Sequence, residues 1–120
     1  MTRRLGLFAA YEVMIRLFAV IKGGKSMLVV GERINSSRKG IELALRKRDA
    51  ELIAKEARDQ VNAGAHVIDV NTATLMEEEI ESLKWAVQLI GDSVDIPICI
   101  DSPDPVAVAD VLPTCKGKAM

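Results

Sequence analysis

Two short apolar runs in this 120-residue chain end in groups able to hold a polar ligand. Asp69-Val70-Asn71 follows Val67-Ile68, and Asp101-Ser102-Pro103 follows Ile96-Pro97-Ile98-Cys99-Ile100. The period of two along an extended strand turns Asp69 and Asn71 to one side and Val70 to the other. Asp69, Asn71 and Asp101 could then converge on one ligand. A carboxylate accepts two N–H bonds and an amide both donates and accepts, so this set suits a flat heterocycle with an amino-amide edge. Glu32 and Asn35, in Gly31-Glu32-Arg33-Ile34-Asn35, can extend the same rim. The plainer alternatives are a helix cap for Asp101 and a structural ion pair for Glu32-Arg33.

Side chains of this kind need a scaffold that delivers strand ends to one place. Met27-Leu28-Val29-Val30 reads as a short buried strand, Val67 to Val70 as a second and Ile96 to Ile100 as a third. A brief helix through Ile41, Ala44 and Leu45 follows the first strand. Asp49 then caps a helix with Ile53, Ala57 and Val61 on one face and Gly64 at its end. The acidic run Glu77-Glu78-Glu79 suits a helix N-terminus, where the dipole is positive, and reads most simply as a solvated first turn. The stripe Ile80, Leu83, Val87 and Ile90 follows it, with Gly91 as the expected stop. Asp104-Pro105 is an N-cap with proline at the first helical position, ahead of Val108, Val111 and Leu112, and Pro113 closes that helix. Strand and helix alternate three times, which argues for a parallel sheet joined by right-handed crossovers, and Lys118 to Met120 would begin a further strand. Parallel α/β folds bind ligands at the carboxyl ends of their strands, where both polar motifs fall.

Residues 1–26 read differently. Leu5 to Ile21 is strongly apolar around Glu12 and Arg16, without a clean stripe. The run is short and twice charged for a transmembrane helix, which needs about 20 apolar residues. Arg3-Arg4 suggests a signal peptide, but Ile21 to Ser26 lacks a small-residue cleavage site. An added helix joined at Gly23-Gly24, or a start placed upstream of the true one, is the reading that remains. The chain divides accordingly into an N-terminal extension, 1–26, expected to be helical, and a regular domain, 27–120.

Composition removes several classes of function. The 49% apolar fraction supports a real core, and 16 basic against 17 acidic residues give no field to attract nucleic acid or an anionic membrane. Aromatic stacking platforms are few: Phe8, Tyr11, Phe18 and Trp85. Cys99 and Cys115 lack CxxC spacing and read as reduced thiols, and His66 has no second metal ligand near it in sequence. Neither GxxxxGK[ST] nor GxGxxG is present; Gly23-Gly24-Lys25-Ser26 precedes a strand where a phosphate loop follows one. Asn35-Ser36-Ser37 fits a glycosylation acceptor but matters only in a secreted chain.

Taken in order, Met27-Leu-Val-Val-Gly-Glu-Arg-Ile-Asn35, Asp69-Val70-Asn71 and Cys99-Ile100-Asp101-Ser102-Pro103 resemble the start of the pterin-binding methyltransferase barrel. Gly31 to Gly40 is similar to the methyltetrahydrofolate:corrinoid methyltransferases, relatives of the pterin domain of cobalamin-dependent methionine synthase. The resemblance runs from Met27 to Met120 and has no counterpart for residues 1–26. It implies a TIM (β/α)8 barrel of roughly 250 residues, of which this chain holds the first three βα units, with the extra N-terminal helix. It further implies that Asp69 and Asp101 hydrogen-bond the pterin, with Asn71 beside them and Glu32 to Asn35 on the rim. Members pass the N5 methyl of methyltetrahydrofolate to the cobalt of a corrinoid, the cobalamin cofactor carried by a partner protein. The family's asparagine near N5 and two further pterin ligands would lie beyond Met120, so no catalytic residue and no metal ligand is assigned. A cytoplasmic fragment, inactive alone, is the expectation, with a homodimer among its expected partners. Dihydropteroate synthase, another pterin barrel, fits the early motifs less well. A small α/β binding or interaction module, with the apolar N-terminal helix over its sheet, is the alternative outside enzymes.

Overall fold

Met27–Asn35, Val67–Asn71 and Ile98–Ile100 form strands β2, β3 and β4 of a parallel sheet where the β-branched runs predict strands, with β2 continuing past the expected end at Val30 to Asn35. The computed structural model describes residues 27–115 and the backbone of Ile15–Ala19; residues 1–14, 20–26 and 116–120, including the expected strand start at Lys118, lie outside the described residues. Ile15–Ala19 is strand β1, paired antiparallel with β2, and the sheet order is β1-β2-β3-β4. This corrects the helix expected through the N-terminal apolar run: at Ile15–Ala19 the chain is extended. An apolar segment without a 3.6-residue stripe has no preferred helical face, and β2 offers it a row of backbone partners.

Four helices follow: α1 (Lys39–Lys47), α2 (Ala50–Asn62), α3 (Glu79–Ser93) and α4 (Pro105–Val111). Asp49 caps α2 by accepting from Leu52 N at 3.1 Å, and Asp104 caps α4 by accepting from Val106 N at 2.9 Å, both as predicted. Gly64, just past α2, has a φ of +108°, which only glycine adopts without strain. Gly91 does not end α3, which runs to Ser93. A mid-helix glycine costs only about 1 kcal/mol, and the burial of Val87 and Ile90 at 1% and 0% exposure outweighs it. The third strand starts at Ile98 where Ile96 was expected, because Pro97 has no N–H and enters the ladder only as an acceptor, from Ile68 N at 3.1 Å.

All four helices pack on one face of the sheet. Ile34, Ile68, Val70, Ile98 and Ile100 project there and join Ile41, Leu45, Ile53, Ala57, Leu83, Val87, Ile90 and Val111 in a single core. Register fixes the layers: Ile68 lies level with Ile98, and Ile34, Val70 and Ile100 share the next level. Between Gly31 and Ile34 the pairing with β3 slips by one residue, a bulge at Glu32-Arg33. Gln60 of α2, fully buried, fills the gap: its Oε1 accepts from Arg33 N at 3.0 Å and its Nε2 donates to Glu56 O at 3.3 Å. No helix among the described residues is long and apolar enough to cross a membrane.

Candidate functional site

The face of the sheet opposite the helices collects the polar strand ends. Alternation puts Asp69 there, level with Cys99, and Asn71 one step further on, level with Asn35. Asp101 N donates to Val70 O at 3.0 Å, which carries the β3–β4 ladder one residue past β4 and brings Asp101 level with Asn71. Glu32 follows Gly31, the register partner of Ile68, and so enters the bulge beside Asp69. Asp69 is 2% exposed, whereas Glu32, Asn35, Asn71 and Asp101 are half-buried. The structure thus brings the five predicted residues to one end of one face, with Asp69 deepest.

The two asparagines perform the same local task. Asn35 Oδ1 accepts from Ser37 N and Asn71 Oδ1 from Ala73 N, each at 2.9 Å, closing an Asx turn as the chain leaves its strand. Their amide carbonyls are thereby committed to the backbone, and the Nδ2 donors are the half of each amide suited to a ligand.

The loops at this end are tied to one another by side chains that sequence reading passed over. Ser36, 1% exposed, donates its backbone N–H to Asn71 O at 2.8 Å, and its Oγ accepts from Thr74 N at 3.2 Å and Thr74 Oγ1 at 2.6 Å. The loop after β2 is thus fastened to the loop after β3. Glu79 fastens the next pair: its carbonyl accepts from buried Thr72 Oγ1 at 2.9 Å, and its carboxylate from Ser102 Oγ at 2.5 Å. Glu78 pairs with Arg46 at 2.6 Å. Glu77 and Glu78 are exposed at the start of α3, as a solvated first turn requires, and Glu78 and Glu79 in addition tether neighbouring segments. The available signal was the hydroxyl cluster after each strand, at Ser36-Ser37, Thr72-Thr74 and Ser102.

The remaining polar candidates resolve into structural roles. Arg33 Nε meets Glu56 at 2.8 Å, and Arg38 spans the same carboxylate at 3.4 Å and Arg33 O at 2.8 Å, bracing the bulge from the helix side. His66 Nδ1 accepts from Val29 N at 3.0 Å while His66 N donates to Val29 O at 2.7 Å, so the imidazole extends the β2–β3 ladder. Burial pushes the Cys115 thiol up from its ordinary range, which keeps it protonated near neutrality. Among the described residues no cluster of three or more His, Cys, Asp or Glu could hold a metal ion.

A helix-backed parallel sheet with carboxylates and amides at its strand ends is the arrangement of an α/β ligand-binding domain. Residues 31–119, most of the chain, match the pterin binding enzyme family, and the chain belongs to that family. It is 40% identical over 90 residues to the methylcorrinoid:tetrahydrofolate methyltransferase of Eubacterium limosum, an alignment covering 75% of this chain and 33% of that protein. It is also 30% identical over 80 residues to the methionine synthase of Mycobacterium tuberculosis, covering 66% of this chain and 7% of that one. The chain thus spans about a third of the first relative's length and a small part of the second's.

Proposed function

We propose that this chain forms the first part of a pterin-binding barrel that takes methyltetrahydrofolate and serves transfer of its N5 methyl group to a corrinoid protein. The observation that carries this reading is the gathering of Asp69, Asn71 and Asp101 at one end of the face opposite the described helices, inside the segment that matches the family. Asp69, deepest on this face, offers carboxylate oxygen to the row of N–H groups that the amino-amide edge of a pterin presents. Asn71 and Asn35 would add Nδ2 donors to the pterin's acceptors, and Glu32 would stand on the rim.

The partial-barrel reading is supported by topology. Strands β2, β3 and β4 lie in chain order with every helix on the same side, the pattern that curls into a barrel, whereas a doubly wound sheet carries helices on both faces. Three βα units do not enclose a lumen, so we assign these residues to recognition. The tertiary amine of the donor is a poor leaving group and needs a proton or hydrogen bond at N5 as the methyl departs; that group would come from the remaining strands, and the corrinoid from a separate protein. The chain by itself would then be inactive. We place it in the cytoplasm, where Cys99 and Cys115, neither in a disulfide, stay reduced. A second reading, a non-enzymatic α/β binding module, draws support from β1, which covers a sheet edge from within the chain.

Titration of the purified chain with methyltetrahydrofolate tests the assignment. A charge-assisted hydrogen bond is worth about 1.5–3 kcal/mol, so Asp69→Ala or Asp101→Ala should weaken binding about ten- to a hundredfold. Affinity unchanged in both variants would exclude this pocket, and a wild-type chain that binds no pterin would favour the module.

A further inference from the structure

Strand β2 has two rows of backbone N–H and C=O groups, and β3 takes one of them through its parallel pairing. The other row would remain open in a sheet made only of the βα units. In a closed barrel that row belongs to the last strand, which lies parallel to the first. Here β1 takes it in the antiparallel sense, with Ile15 opposite Gly31, Leu17 opposite Val29 and Ala19 opposite Met27. Two strands cannot use the same row.

We propose that Ile15–Ala19 is an intramolecular substitute for a closing strand: it holds the β2 edge, excludes a parallel strand from it, and prevents a second copy of this chain from pairing there. The idea rests on the partial-barrel reading given above. An uncovered strand edge is a template for edge-to-edge association, and proteins commonly cover such edges. The described pairing runs along Met27–Gly31, the part of β2 before Glu32 and the bulge. A closing strand supplied by more chain or another polypeptide would have to displace β1.

The test is a double variant, Leu17→Pro with Phe18→Pro. Alternate residues of β1 donate toward β2, so one of the two adjacent prolines removes a ladder N–H whichever the phase. Hydrogen exchange should then quicken about tenfold or more at those Met27–Gly31 amides that point away from β3, with β3 and β4 amides unchanged. Light scattering should show the variant's mass rising with concentration while the wild type stays monomeric. Unchanged β2 exchange, or a wild type that self-associates as readily as the variant, overturns the proposal. To keep the test independent of any unfolding by the prolines, a second variant joins the register partners directly: Leu17→Cys with Val29→Cys, in a Cys99→Ser, Cys115→Ser background. Mild oxidation should give an intrachain disulfide and a monomer; intermolecular products alone would overturn the proposal. Methyltetrahydrofolate titration of the wild type is scored separately, so failure of the pterin reading and failure of the edge assignment give different results.

Discussion

Met76 is the residue least at ease with its backbone. Its φ of 57° and ψ of −116° lie where a side chain is strained, and its side chain is 73% exposed, so no buried contact compensates. It sits in the short 3-10 segment Ala73–Glu78 between Asn71 and α3, held at both ends by the Thr74–Ser36 and Thr72–Glu79 bonds. Strain in such a region costs about 1–3 kcal/mol, and glycine relieves it at a small entropic penalty. Met76→Gly should therefore raise stability by about 1 kcal/mol in urea titration; a loss of that size would mean that the tethers do not impose this conformation. Gly31 poses the converse case. A Cβ built there would lie 2.4 Å from Gln60 Oε1 and 3.0 Å from Gln60 Cδ. Gln60 cannot swing aside without abandoning Arg33 N at the bulge. Gly31→Ala should cost about 2 kcal/mol, as overpacking of a close contact does, and an unperturbed midpoint would contradict the buried bridge. Neither residue is conspicuous in sequence, since both effects depend on a neighbour from another element.

At the scale of the element, caps and stripes were legible because their physics is local. Asp49 and Asp104 donate nothing to the core, yet each satisfies an amide that its helix leaves open. Asp49→Ala should destabilise the chain by about 1 kcal/mol in thermal or urea unfolding, and Asp49→Ser should restore most of it. The apolar stripe of α3 was equally readable: Leu83, Val87 and Ile90 are fully buried, with Ile80 packed partly against them. What could not be read was the fate of Glu78 and Glu79. Their charges suit a helix start wherever it lies, but their partners, Arg46 and Ser102, are 32 and 23 residues away and meet them only in the folded chain. The N-terminal strand was missed for the same kind of reason, because extended structure at Ile15–Ala19 depends on pairing with β2.

For the molecule as a whole, one continuous core joins all four helices to β2, β3 and β4. Arg48 ties α1's end to α3 through Ser82 at 3.0 Å and lies 5.2 Å above the Trp85 ring, itself packed against that core. Unfolding followed by Trp85 fluorescence and by far-ultraviolet circular dichroism should therefore give coincident transitions. Separated midpoints would indicate that the α1–α2 region opens apart from the sheet. The order of strands and helices from Met27 onward, the caps at Asp49 and Asp104, and the face of β3 that bears Asp69 and Asn71 were determined by the sequence alone, because periodicity and capping act over a few residues. Tertiary structure decided which strand level each polar group occupies, which hydroxyls bind the loops together, and what covers the edge of β2. Each of these follows from register between distant segments, where a slip of one residue, such as the bulge at Glu32-Arg33, turns a side chain from the core to the opposite face of the sheet.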